Sequence, residues 1–185
     1  MLDHPAECVK LSPMSLRLVP LSGRHLRDLQ SLAAGEAIAP WLAPPSPDLD
    51  GRAFVERAQR LRARGGRETF AICEDDRLLG IGVLTRREEA PEHAELGYWI
   101  GRPYRGRGHA TAAGARLLAR GFERMRLILV IARSPSANRA SVRVLEKLGL
   151  RFVGVEPSVD PPGSGEAVRR YEMTRAAWHR LRRSR

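Results

Sequence analysis

Lysine is almost missing from this 185-residue chain: Lys10 and Lys147 are the only lysines among 32 basic residues, and the other 30 are arginine. Aromatic residues are scarce as well, at 5%. A platform that stacks single-stranded bases interleaves aromatics with its charge, whereas these arginines are spread along the whole chain. The two cysteines, Cys8 and Cys73, lie far apart and match no metal or redox spacing. The five histidines are scattered too, so no metal site is expected. The longest apolar runs, such as "LILVIA" at 127–132, fall far short of the roughly 20 residues that cross a bilayer. The N-terminal segment carries acids early and has no apolar signal core. The expectation is a cytoplasmic protein without membrane association.

Hydrophobic residues make up 43% of the chain, enough for a core. The length suits one domain over 1–185, with 1–14 as an N-terminal extension. The formal charge of +11 suits nucleic acid, an acidic protein or a polyanionic cofactor. A coding bias towards arginine explains it equally well.

"SLRLVPL" at 15–21 alternates as a strand does, and Ser22 is a plausible cap for a helix with Leu26, Leu29 and Leu32 on one face. Four prolines make 40–48 a loop. Asp48 or Asp50 then caps a second helix to about Arg64, which "RGG" ends. Strands at 67–74, 78–87 and 93–101 read as an antiparallel meander. A helix over about 106–125 precedes "LILVIA", a strand buried on both faces. A short helix starts at Ser136 and stops at Gly149, followed by strands "LRFVGVEP" and "AVRRYEMT". Thr174 caps a closing helix that carries Trp178. This order gives a mixed sheet in an α/β (α+β) domain.

The most informative stretch is "YRGRGHATAAGARLLARGF" at 104–122, a bare basic turn set between a strand and a helix. A helix N-terminus exposes unpaired N–H groups and partial positive charge, so anions bind there. Gly106 and Gly108 let the backbone approach a ligand, and Arg105 and Arg107 add charge; together they describe a diphosphate nest. The nucleotide is not ATP held by a Walker loop, because His109 and Ala110 follow Gly108 where Lys and Ser or Thr are required. A dinucleotide fingerprint fails too, since Thr111 stands where its third glycine belongs.

"RGRGHA" at 105–110 resembles the Arg/Gln-x-x-Gly-x-Gly/Ala turn of the GNAT acetyltransferase superfamily. The wider stretch "AELGYWIGRPYRGRGHATAA", with "ARSPSANRASVRVLEKLGLRFVGV" behind it, looks like the ribosomal-protein alanine acetyltransferase branch (RimJ/RimL type). The turn alone is a weak motif. Joined to the downstream Asn-x-x-Ser-x-x-x-x-x-Lys-x-Gly pattern it is specific. Leu150 replaces the usual Phe and keeps its apolar character. The resemblance implies the GNAT fold, a mostly antiparallel sheet of about seven strands splayed in the middle and flanked by helices. It also implies acetyl-CoA as donor and a primary amine as acceptor, either a protein N-terminus or a small molecule. The amides of Arg105, Gly106, Arg107, Gly108, His109 and Ala110 would hold the pyrophosphate, with the Thr111 hydroxyl beside them. The pantetheine arm would bond to backbone near Trp99 and Ile100, as an added strand does.

Acetyl transfer to an amine needs a deprotonated nucleophile, a stabilised oxyanion and a thiolate that can leave. Glu95, an acid in an otherwise apolar strand, is the candidate base. A salt bridge to a neighbouring arginine, or substrate binding, would also account for it. Asn138 and Ser141 lie one helical turn apart, so both can face one ligand. The resemblance implies that Asn138 bonds the pantetheine amide and that Ser141 sits near the sulfur; capping and packing are their structural alternatives. Tyr98 and Tyr104 are further proton donors, although Tyr98 also reads as a strand residue packed against a helix. Arg139 and Arg143 flank the same helix face and could reach the CoA 3′-phosphate, and Trp41 could line the acceptor pocket. Direct attack through a tetrahedral intermediate needs no covalent enzyme species and no metal. Other readings are a CoA-binding sensor or inactive homologue, and, less well supported, a nucleic-acid binder. A homodimer is compatible with the sequence.

Overall fold

In a computed structural model, residues 16–34, 51–157 and 167–183 are described. Cys8, Trp41, Asp48 and Asp50 lie outside them. The elements run in the expected order: β1 (Leu16–Pro20), α1 (Leu26–Ala33), α2 (Gly51–Ala63), β2 (Arg67–Glu74), β3 (Arg77–Arg86), β4 (His93–Ile100), α3 (His109–Ala119), β5 (Leu129–Pro135), α4 (Arg139–Leu148), β6 (Arg151–Pro157), β7 (Ala167–Thr174) and α5 (Arg175–Arg183). A single 3₁₀ turn over Gly23–His25 precedes α1. The strands form one seven-stranded sheet in the order β1-β2-β3-β4-β5-β7-β6. Every neighbouring pair is antiparallel except β4 and β5.

Alternation along the strands sends side chains to two different cores. Ala94, Leu96, Val130, Ala132, Tyr171 and Met173 face one way, onto Leu117 and Leu118 of α3, Leu145 and Leu148 of α4, and Trp178 of α5. Ala71, Cys73, Ile81, Val83 and Trp99 face the other way, onto Leu29 of α1 and Phe54, Val55 and Ala58 of α2. Each fully buried Leu or Ile contributes on the order of 1.5–3 kcal/mol of transfer free energy. The core reading of Cys73 holds: it is 4% exposed, and burial pushes its thiol pKa up. Trp178 is buried as well, its ring 5.4 Å from that of Phe122.

Several boundaries move. The helix expected from about 106 begins at His109, because Gly108 takes a left-handed conformation (φ 84°) that ends the preceding turn. Its C-terminal end widens into a π-type turn over Arg120–Arg124, closed by the Met125 N–H on the Arg120 carbonyl at 3.0 Å. The strand drawn from "LILVIA" starts only at Leu129, and Ile128 is 47% exposed. Burial on both faces is therefore confined to Val130–Ala132. Helix α4 is capped by Asn138 rather than Ser136. Thr174 caps α5 as expected, its Oγ1 accepting from the Ala177 N–H at 3.2 Å. One close approach sets α4 against α3: a Cβ on Gly114 would lie 2.6 Å from Leu148 Cδ1.

Candidate active site

The parallel ladder between β4 and β5 is only three residues long: His93, Ala94 and Glu95 pair with Leu129, Val130 and Ile131. Beyond that rung β4 continues to Ile100, bonded to β3 on its other edge, and β5 continues to Pro135, bonded to β7. The two strands therefore part company in mid-sheet. A parallel pair whose halves diverge leaves an edge on each side that an extended ligand can join. Helices α3 and α4 follow the C-terminal ends of β4 and β5 respectively, so both begin at the open end of this split.

The glycine turn lies at that end. Gly106 (φ 79°) and Gly108 (φ 84°) both need the left-handed region, and a Cβ at either would meet nothing within 4 Å. Their first role is thus conformational, and the space above them is open. The first helical bond runs from the Ala112 N–H to the Gly108 carbonyl at 3.0 Å. The N–H groups of His109, Ala110 and Thr111 accordingly have no acceptor within the helix, and no side chain caps it. Arg105 turns back, its Nε donating to the Ile100 carbonyl at 2.8 Å, which anchors the turn to the end of β4. That bond also engages one of the backbone groups expected to meet pantetheine. Arg107 is exposed, while His109, Ala110 and Thr111 are half-buried. Trp99 and Ile100 direct their side chains into different cores, with Trp99 towards α1 and α2 and Ile100 towards Leu16 and Ala113. They offer the split only their backbone.

On the other flank, Asn138 Oδ1 accepts the Ser141 N–H at 3.1 Å, which is helix capping. Ser141 is joined to β4 across the split: its Oγ lies 3.1 Å from the Tyr98 hydroxyl, and the same phenol is 3.4 Å from the Ser141 carbonyl. Burial pushes the Tyr98 phenol above its ordinary value, and the bond to Ser141 offsets part of that rise. Tyr98 therefore does pack against a helix, as its place in a strand suggests, but through a polar contact as well as an apolar one. Arg139 and Arg143 are exposed on α4.

Glu95 occupies the last rung before the split, on the sheet face opposite α3 and α4. Its side chain is 42% exposed, and Oε2 accepts from Arg133 at 2.9 Å. Arg133 also donates from Nε to Glu156 at 3.0 Å, Glu156 accepts from Arg170 at 2.9 Å, and Arg170 bonds Glu172. Burial opposes the Arg133 charge, but Glu95 and Glu156 outweigh it and hold the guanidinium above its usual pKa. Hydrogen bonds from Arg170 in turn hold Glu156 below the usual carboxylate range, with Arg133 adding to the effect against burial. This ladder across β4, β5, β6 and β7 is absent from the sequence reading beyond the idea of a salt bridge to Glu95. Its signal is the presence of charged residues on largely apolar strands: Arg133 on β5, and Arg170 and Glu172 two apart on β7. Among the described residues, no group of three or more His, Cys, Asp or Glu side chains gathers as a metal site would require, and no helix is long and apolar enough to cross a membrane.

The chain is similar to known proteins. The mycothiol acetyltransferase of Streptomyces griseus is 32% identical over 182 residues, covering 90% of this chain and 58% of that protein. The ribosomal-protein-serine acetyltransferase of Escherichia coli K12 is 26% identical over 146 residues, covering 74% of this chain and 81% of that one. Among solved structures, a RimL ribosomal-protein α-N-acetyltransferase in complex with coenzyme A superposes with a TM-score of 0.76 at 17% identity, over 89% of this chain and 96% of its own; that likeness is one of fold. The family model described as Acetyltransferase (GNAT) domain matches residues 15–151, a span that runs from the first strand to the start of β6 and takes in the turn, the split and α4, and the chain belongs to this family.

Proposed function

We propose that this protein moves an acetyl group from acetyl-CoA to a primary amine, at a protein N-terminus or on a small molecule. The observation that carries the reading is the parting of β4 from β5 immediately after Glu95, with the amides of α3 and the side chain of Ser141 at the mouth of the opening. Open space above Gly106 and Gly108 supports the fit of a diphosphate. Arg105 through Thr111 would hold it, and the carrier brings the activated thioester. The remaining chemistry belongs to this chain. Glu95 would take the proton of the incoming ammonium, directly or through water, because an amine attacks only through a free lone pair. Ser141 would donate a hydrogen bond to the departing thiolate. Asn138, whose carbonyl oxygen is used for capping, retains its amide N–H groups for the pantetheine arm. The relatives are named for different molecules, one for a ribosomal protein and the other for mycothiol, so the acceptor is to be found by screening.

The bond between Glu95 and Arg133 favours one alternative, a CoA-binding protein in which Glu95 is idle. Two measurements in sequence separate the readings. Acetyl-CoA at millimolar concentration raises the melting temperature under both, and no shift removes both. Thiol release is then followed across amines, amino acids and N-terminal peptides. Turnover with any of them, lost in Glu95→Gln, supports the enzyme; binding without turnover supports the idle form.

A further inference from the structure

We infer that Tyr98 is a positioning residue for the reaction: its phenol donates to Ser141 Oγ and so turns the serine's own O–H into the split, towards the departing sulfur. The inference rests on the reading of Ser141 given above. Tyr98 stands on β4 three residues past the last β4–β5 rung, and Ser141 in the first turn of α4. Their hydroxyls, 3.1 Å apart, form a side-chain hydrogen bond between the two flanks of the opening. A half-buried phenol that stays protonated places its hydrogen on a neighbouring acceptor where one is in reach. The two within reach both belong to Ser141, and the nearer is Oγ at 3.1 Å against 3.4 Å for the carbonyl. That carbonyl also faces the helical N–H one turn on. A serine oxygen that accepts from Tyr98 has its single proton left to donate elsewhere. Hydrogen bonds in series polarise one another, so the serine becomes a stronger donor than it would be alone.

The chemistry balances without proton transfer from either hydroxyl. The amine nitrogen forms a bond to the thioester carbon, the carbon–sulfur bond breaks, and its electron pair leaves on sulfur. Nitrogen loses two protons in all: the ammonium gives the first to Glu95 before attack, and the second, released as the amide forms, goes to solvent or to the free thiolate. The thiolate needs only a donor aimed at it, and Ser141 supplies one whose direction Tyr98 sets. The phenyl ring of Tyr98 packs against both α3-side clusters, and phenylalanine would fill that space. The hydroxyl is the part with a chemical task.

The test is a double-mutant cycle on the full chain with Tyr98→Phe, Ser141→Ala and the pair, measured by thiol release from acetyl-CoA with an acceptor that supports turnover. Loss of a hydrogen bond to a charged group predicts a fall in kcat of roughly 10–100-fold for Ser141→Ala and a smaller fall, about 5–10-fold, for Tyr98→Phe. The KM for acetyl-CoA should change less than about twofold, and the double variant should be no slower than Ser141→Ala alone. Effects that multiply, or a Tyr98→Phe enzyme with wild-type kcat, overturn the inference. So does a Tyr98→Phe defect confined to KM and melting temperature, the mark of a packing role. Wild-type kcat in Ser141→Ala also overturns it, while leaving the acetyltransferase reading intact. That reading fails separately if the unmodified protein shows neither a thermal shift with acetyl-CoA nor thiol release.

Discussion

Arg133 bonds the carboxylate of Glu95 at 2.9 Å, and Glu95 stands on the rung where β4 and β5 last touch. The same guanidinium reaches Glu156 on β6 at 3.0 Å, so one side chain ties the candidate base to the far edge of the sheet. Glu95 is thereby held in one orientation beside the opening. Glu95→Gln keeps the shape and the hydrogen-bonding reach of the side chain but removes its capacity to take a proton. General-base loss costs roughly 10²–10⁴-fold, so kcat should fall by at least about 100-fold at neutral pH, while the thermal shift with acetyl-CoA stays as in the wild type. An unchanged kcat would assign Glu95 to the salt bridge alone.

Arg133→Met tests the ladder itself. It leaves Glu95 without its bonded cation and Glu156 with Arg170 only. The pairs are partly exposed, with Arg133 at 23% and Glu95 at 42%, so solvent screening keeps the cost to about 1–2 kcal/mol. Arg133→Lys should not restore it, because two carboxylates are met by two different nitrogens of one planar fork. Chemical denaturation of the three proteins gives the comparison, and full recovery in the lysine variant would show that charge alone matters.

Glu156 makes a prediction about acid. Its pKa is held below the ordinary 4.5 by Arg170, with Arg133 adding to the effect. A carboxyl whose native pKa lies below its unfolded value contributes stability that is complete above the unfolded value and is lost as pH falls through the lowered native one. The melting temperature of the wild type should therefore exceed that of Glu156→Gln at pH 7, and the gap should close on acidification below about pH 4.5. A gap independent of pH would mean that the carboxylate's charge has no part in the ladder's stability.

How much of this was legible beforehand depends on the range of the interaction. Local patterns carried well: the element order, Thr174 as a cap, Cys73 and Trp178 as core, and the turn at Gly106 and Gly108 all rest on a few neighbouring residues. Boundaries moved where tertiary packing decided them. Ile128 belongs to an apolar run but meets solvent, since strand pairing begins only one residue later. The contacts between Tyr98 and Ser141, 43 positions apart, and between Glu95 and Arg133, 38 apart, depend on which strands become neighbours. Each residue was visible as a chemical type. That each faces the other could not be read without the crossover that sets β4 beside β5.

The turn can be tested by comparing two glycines that are needed for different reasons. Gly108→Ala puts a Cβ into open space, so nothing is displaced within the protein. The cost is the left-handed backbone at φ 84°, on the order of 1–2 kcal/mol for a non-glycine residue. Any ligand that lies against the helix mouth, however, meets the new methyl group, and the amides shift as φ relaxes. Gly114→Val is the converse. Its Cβ falls 2.6 Å from Leu148 Cδ1, and overpacking between α3 and α4 costs about 1–3 kcal/mol, about one turn further along α3 than the amides at its mouth. The two variants should thus lose similar stability by denaturant titration. Gly108→Ala alone should lose acetyl-CoA affinity, by roughly tenfold or more if it disturbs one charge-assisted bond to phosphate. Equal affinity in both, measured by titration calorimetry, would take the diphosphate away from this turn.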